Sequence, residues 1–253
     1  MDHLQEFLEE KVRQYNHSSF IPSDPVQVPH LFQRKEDIEI AALLTATLAW
    51  GQRPVIIRNA RVLIEYMDSD PYQFIIGYEE EDLKPLLGFV HRTFNGFDCV
   101  YFIKALRKIY LKHGGLEAVF TQGYHVSGSV YGALSYFRDV FFSGEVPGRT
   151  SRHVSDVRAH SAAKRLNMFL RWMVRKDTNG VDFGLWSGIG TADLMIPLDL
   201  HSGNTARKLG LLTRKQDDWK SVEELTSFLR TFDPEDPVKY DFALFGLGVF
   251  EKF

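Results

Sequence analysis

Five apolar residues, Leu166, Phe169, Leu170, Met173 and Val174, recur at i, i+3, i+4, i+7 and i+8. That spacing lines one face of a helix and cannot line one face of a strand. A helix over residues 162–175, with Ser161 as its N-cap, therefore needs a core to cover its stripe. Similar periodicity runs through Leu4–Tyr15, Asp37–Leu48, Val55–Met67, Asp98–His113, Tyr131–Phe142, Ser221–Phe232 and Pro237–Phe250. No strand alternation, repeat or low-complexity segment interrupts them, so the expected fold class is all-α. With 253 residues, 44% of them hydrophobic and 13% aromatic, the chain can bury a large core and does not read as disordered. It lacks the apolar run of about twenty residues that a membrane span needs, and its first residues lack a signal-peptide pattern. The single cysteine, Cys99, permits neither an intramolecular disulfide nor a four-cysteine iron–sulfur or zinc site. A cytoplasmic location is expected.

Charge is unevenly spread. The formal net charge of −3 argues against a polyanionic partner, yet residues 149–176 hold eight basic residues against one acid, Asp156. The segment carries +7 and the remainder −10. On the helical wheel Lys164, Met168, Arg171 and Arg175 leave the face opposite the apolar stripe, with Trp172 at its flank. Such a face is the usual footprint of a phosphate-binding surface. It is equally the solvated side of an ordinary amphipathic helix.

The segment Ile196-Pro197-Leu198-Asp199-Leu200-His201 places an aspartate where a helix begins, and that helix is expected to end at Leu209-Gly210. A carboxylate there accepts hydrogen bonds from the free N–H groups of the first turn, which alone explains it. Asp233 and Asp236 are placed to cap the C-terminal helix in the same way. No histidine pair has metal-ligand spacing, and there is no Gly-rich phosphate loop or nucleophile elbow. No metal or cofactor is expected.

Asp199-Leu200-His201 followed by Ala206-Arg207-Lys208-Leu209-Gly210-Leu211 resembles the helix-hairpin-helix DNA glycosylase superfamily. Ala41–Gln52 is similar to an early helix of that family, and Tyr240–Gly248 to its closing helix. The resemblance implies two helical lobes with a cleft between them, one formed by residues 30–145 and the other by 1–29 with 146–253. It implies an aspartate, Asp199, that assists cleavage of the glycosidic bond. It also implies a lysine near the start of the post-hairpin helix that attacks the sugar C1′, for which Lys164 is nearest in position and Lys176 is the reserve. The family's glycine-containing hairpin turn has no counterpart at the right spacing, since Gly188-Ile189-Gly190 lies too close to Asp199. In that respect the chain is similar to the archaeal 8-oxoguanine glycosylase branch, and its cysteine count sets it apart from the iron–sulfur branch.

A closer resemblance, carried by Arg171-Trp172-Met173-Val174-Arg175 and by Asp233–Asp241, is to a family of uncharacterised bacterial proteins known only as a domain of unknown function. The expected activity is removal of a damaged base, an oxidised purine among the candidates, with or without cleavage of the abasic site. The expected partner is double-stranded DNA, bound by a monomer. Arg165, Arg171 and Arg175 would contact its backbone. Gln52, Trp50, Trp186 and His201 would contact the extruded nucleotide, with Phe183 a second ring for stacking. The alternatives are a non-catalytic DNA-binding protein that keeps the fold, and a helical protein whose basic helix serves another ligand.

Overall fold

The computed structural model describes residues 2–144 and 148–253. The chain divides into two units, one of Pro22–Ser155 and one of Met1–Ile21 with Asp156–Phe253. The lobe boundary expected at residues 145 and 146 lies outside the described residues. Among those residues the structure is mostly helical, with one two-stranded sheet.

Helix α1 (Asp2–Tyr15) comes first in the chain and belongs to the discontinuous unit. The Pro22–Ser155 unit then builds on α2 (Lys35–Leu48), in which every residue from Asp37 to Leu48 is buried. Helices α3 (Arg53–Glu65) and α4 (Pro71–Gly77) follow, each with a proline in its first turn, where the missing N–H costs nothing. A short hairpin of β1 (Val90–His91) and β2 (Phe94–Asn95) leads into α5 (Gly96–Lys112). Asn95 and Asp98 cap the start of α5 reciprocally. Asp98 is fully buried and also accepts a hydrogen bond from Thr150 Oγ1 at 2.7 Å, with His153 Nε2 at 3.3 Å.

Helices α6 (Leu116–Ser127) and α7 (Val130–Phe141) complete this unit as an antiparallel pair. Gly128 ends α6 in the left-handed region, and Ser129 caps α7 by accepting from the Gly132 N–H. The Phe120 and Phe137 rings stack with centroids 4.4 Å apart. The sequence reading missed α6, which carries Gly123 in its interior. The structure explains that glycine: a Cβ there would lie 2.9 Å from Ala133 Cα, so α7 crosses too closely for any side chain. The two-residue strands were equally invisible, being too short to show alternation.

The discontinuous unit consists of α1 with α8 (Lys164–Val174), α9 (Leu200–Lys208), α10 (Trp219–Arg230) and α11 (Tyr240–Val249). Helix α11 packs against both α1 and α9. Its glycines make this possible. A Cβ on Gly246 would run into the Tyr15 ring, and one on Gly248 would lie 2.9 Å from Thr205 Oγ1. Helix α9 ends as expected, with Gly210 left-handed (φ 73°) and the Leu211 N–H returning to the Ala206 carbonyl at 2.9 Å.

Helix α8 starts two residues later than its periodicity suggests. Ala163, not Ser161, is the N-cap, and it is left-handed at φ 47°. Ser161 instead accepts from the Ala163 N–H at 3.2 Å. His160 is left-handed too (φ 62°), and the turn is held from outside by Trp219 N–H on the His160 carbonyl and by Asn167 Nδ2 on the Ala162 carbonyl, each at 3.1 Å. A left-handed alanine costs about 1–2 kcal/mol, so these contacts hold a local conformation that the chain would not choose alone. Among the described residues no helix is long and apolar enough to cross a membrane.

The close approach of α11 gives a direct test. Gly246→Ala forces Tyr15 to move and is expected to lower unfolding stability by about 1–3 kcal/mol, read as a fall in the urea midpoint at unchanged slope. Gly180→Ala, where nothing lies near the new methyl, tests instead the backbone cost of a left-handed turn and should cost about 1 kcal/mol.

Candidate functional site

The polar face of α8 is not a solvated face. Arg171 and Arg175 are 4% and 2% exposed. Arg171 Nε donates to Asp182 Oδ1 at 3.2 Å, while its NH1 donates to Asp241 Oδ2. Arg175 Nε donates to Asp236 at 3.0 Å, and its NH1 donates to Asp177 at 2.5 Å and Asp182 at 2.9 Å. The Phe242 ring lies under both guanidiniums, with centroid distances of 4.3 Å and 5.5 Å.

Two arginines, four residues apart on one helix, are thus enclosed by carboxylates from the link after α8 and from the start of α11. Burial on its own would lower the Arg175 pKa. The Asp182, Asp236 and Asp177 carboxylates more than offset that, and the net shift is upward. Arg171 and Arg175 are therefore corrected as DNA-backbone contacts: both are spent inside the unit, because acids outside the segment, Asp177, Asp182, Asp236 and Asp241, neutralise them. Arg165 is half-buried, and burial lowers its pKa.

Lys164 differs from these arginines. It is the first residue of α8, and its Nζ lies 3.5 Å from Asp199 Oδ2 with the two side chains 29% and 23% exposed. Asp199 is the N-cap of α9. Its Oδ1 accepts from the His201 and Ser202 N–H groups, both at 2.9 Å, and the Ser202 hydroxyl accepts from the Asp199 N–H at 2.9 Å. One carboxylate oxygen is thus fixed by the helix and the other turns toward the lysine. The starts of two helices bring together an amine and a carboxylate that are thirty-five positions apart in sequence.

Asp241 links this pair to the buried arginines. Burial is the largest influence on its carboxyl and raises its pKa. Arg171 works against burial, the negative charge of Asp199 adds to it, and the net result is a pKa pushed up to about 6.

The other expected contacts are scattered. Trp186 is 4% exposed and packs edge-on against Phe169 at 5.4 Å, so it is corrected from a stacking platform to a core residue. Its N–H and that of Phe183 close the last turn of α8 by donating to the Met173 and Trp172 carbonyls. Trp172 is fully buried. His201 is exposed on the first turn of α9, one residue beyond the exposed Leu200. Trp50 and Gln52 belong to the Pro22–Ser155 unit. There the Arg92 guanidinium covers the Trp50 ring at 4.4 Å, and Gln52 is exposed at the start of α3 without a side-chain capping bond.

Asp236 does not cap the C-terminal helix, because its carboxylate holds Arg175. Asp233 accepts the N–H groups of Glu235 and Asp236 instead. Sequence reasoning missed all four carboxylates, Asp177, Asp182, Asp236 and Asp241, as partners of these arginines. Asp241 closes one of the two patterns that set this chain apart, but nothing local to either pattern says that they pair. Among the described residues no group of three potential ligands is placed to hold a metal ion.

A family model described as protein of unknown function (DUF2400) matches residues 24–250. The chain belongs to that family. Both residues of the Lys164–Asp199 pair and all the arginine partners on α8 fall within the DUF2400 match. Comparison with curated proteins and with solved structures finds no match.

The two kinds of ion pair should respond differently to truncation. Arg171→Met leaves Asp241 and Asp182 without their shared partner and is expected to cost about 3–5 kcal/mol. Lys164→Met removes a partly exposed pair and should cost under about 1 kcal/mol. Urea unfolding of the two variants reads the difference directly, and equal losses would contradict this account of the helix.

Proposed function

We propose that this chain is a DNA glycosylase of the helix-hairpin-helix type, one that removes a damaged base by attack of Lys164 on the sugar. The observation that carries this reading is the pair itself, a lysine amine 3.5 Å from a helix-capping carboxylate, both reachable from solvent. The sequence around Asp199 supports it through its resemblance to that superfamily.

The chemistry follows from the groups present. An amine attacks only as the free base, so the ammonium proton of Lys164 must leave, and Asp199 Oδ2 is the acceptor at hand. The Lys164 nitrogen then bonds to C1′ of the nucleotide as the C1′–N bond to the base breaks. The base departs with that electron pair and takes up a proton. Opening of the sugar ring leaves a protonated imine between Lys164 and C1′, which borohydride reduces to a stable secondary amine. The proton taken up by the base is the one Asp199 accepted, and Asp199, ionised again once it has passed it to the departing base, stabilises the positive charge of the imine. An enzyme of this kind must draw the nucleotide out of the duplex. With Arg171 and Arg175 internally paired, the electrostatic support for a DNA-binding role without chemistry is smaller than the charge count suggests.

The test is borohydride trapping on duplexes carrying 8-oxoguanine or an abasic site, together with base release across a panel of lesions. The wild-type chain should yield a covalent adduct, and Lys164→Ala should yield none. Asp199→Asn should lose roughly a hundredfold or more in rate with little loss of stability, because asparagine caps a helix as well as aspartate does. No adduct and no released base across the panel would overturn the reading.

A further inference from the structure

We propose that the tip of the β1–β2 hairpin and the start of α3 form a phosphate-binding site in the Pro22–Ser155 unit, with the Arg92 guanidinium as its cation and the Trp50 ring as its floor. The site involves neither Lys164 nor Asp199 and does not rest on the reading of that pair.

Arg92 is the residue that points to a ligand. It belongs to the two-residue connection Arg92-Thr93, which closes a hairpin in which His91 pairs with Phe94. Arg92 is exposed and left-handed there (φ 56°), a region that glycine enters at less cost. Its guanidinium lies 4.4 Å from the centroid of the Trp50 ring and meets no carboxylate among the described residues. Gly51 makes room for it, since a Cβ there would lie 2.7 Å from Arg92 NH1. A guanidinium over an aromatic face keeps the N–H donors in its own plane for a second partner.

The groups beside it are donors that lack acceptors. Trp50 Nε1 is buried and makes no hydrogen bond. His91 is 1% exposed, and its Nδ1 accepts from Asn59 Nδ2 at 2.9 Å, which leaves the ring proton on Nε2. That Nε2 has no hydrogen-bond partner either, and the two rings meet edge-on with centroids 6.1 Å apart. Burial lowers the His91 pKa and outweighs the nearby backbone of Trp50 and Leu48, so the imidazole is neutral. Buried donors are normally matched. An anion held by Arg92 brings an acceptor to a place where the protein supplies none.

Two further features favour negative charge at this spot. Helix α3 begins with no side chain capping it, and among the described residues the N–H groups of Gly51 and Gln52 just ahead of it make no hydrogen bond. The start of a helix carries partial positive charge that attracts phosphate. Arg149, the first cation of the basic segment, reaches the same hairpin by donating to the Thr93 carbonyl at 2.9 Å, and its side chain is 51% exposed. The acid it approaches, Asp98 at 3.6 Å, is fully buried and already accepts from Thr150. Donors from a hairpin and a helix start suit a group with three or more acceptor oxygens, which a phosphate has and a carboxylate lacks.

The experiment reads Arg92 itself. The full chain is treated with phenylglyoxal, and modification of Arg92 is measured by peptide mass spectrometry relative to Arg13, which is exposed on α1. Inorganic phosphate should lower the Arg92:Arg13 ratio roughly threefold or more against chloride at equal ionic strength. An undamaged DNA duplex is the second arm. Protection by both ligands assigns the site to a strand phosphate, and protection by inorganic phosphate without the duplex assigns it to a small phosphate compound. Protection by the duplex alone, or by neither, overturns the proposal, because a site built for the group must take the group on its own.

Trp50→Leu keeps the charge of Arg92 and removes both the ring beneath it and the indole N–H. In that variant phosphate should no longer distinguish Arg92 from Arg13, and undiminished protection in a folded Trp50→Leu would equally overturn the proposal. Should Trp50→Leu not fold, the wild-type arms still decide. Base release plays no part in this readout, so a chain that binds phosphate here and never forms an adduct would sink the glycosylase reading and leave the site standing.

Discussion

The buried pairing of Arg171 and Arg175 with Asp177, Asp182, Asp236 and Asp241 holds the discontinuous unit together. Taking charges of either sign out of water is costly, and the cost is recovered only when each is matched in good geometry. Here the matching draws on the end of α8, the link behind it and the start of α11. Neighbouring contacts extend the same arrangement: Asn16 donates to Asp177, while Lys239 and Tyr240 both reach Glu9 of α1. Apolar packing of the stripe on α8 does not specify where α11 must begin. The arginines do, because a guanidinium accepts carboxylates in few directions.

That arrangement also explains why one cation of the basic segment behaves unlike its neighbours. Lys164 stands at the end of the helix where the carboxylate enclosure stops, and it meets a single acid that is already engaged with a helix terminus. The left-handed residues His160 and Ala163 set where α8 starts, and the contacts from Trp219 and Asn167 keep them there. Backbone cost of this kind persists only where the surroundings over-determine the conformation. Here it fixes the amine within reach of Asp199.

Much of the fold was legible from periodicity. The helices rich in regularly spaced apolar residues were anticipated within a few positions, and the Asp199 cap and the Gly210 terminus followed from local chemistry. Helix α6 was not, because Gly123 weakens its pattern for a reason that lies in α7. The site was half legible. Lys164 and Asp199 were named through the resemblance, which singles out an aspartate at one helix start and a lysine near another. The fate of Arg171 and Arg175 could not be read, because a wheel shows which residues share a face and says nothing of what covers it. Their partners lie up to seventy positions away, and long-range charge pairing leaves no periodic trace in a sequence.

The division of the chain into a continuous unit and a discontinuous one carries a consequence for synthesis. Residues 22–155 form a stretch that can acquire its structure while the ribosome is still adding the remainder. Helix α1 leaves the ribosome before that stretch, yet its neighbour α11 emerges only after it. Until then Glu9 lacks Tyr240 and Lys239, and the two arginines of α8 lack half of their acids. The unit that holds the amine and its carboxylate is therefore the last to form, and a chain truncated before residue 240 would retain the continuous unit without a finished site.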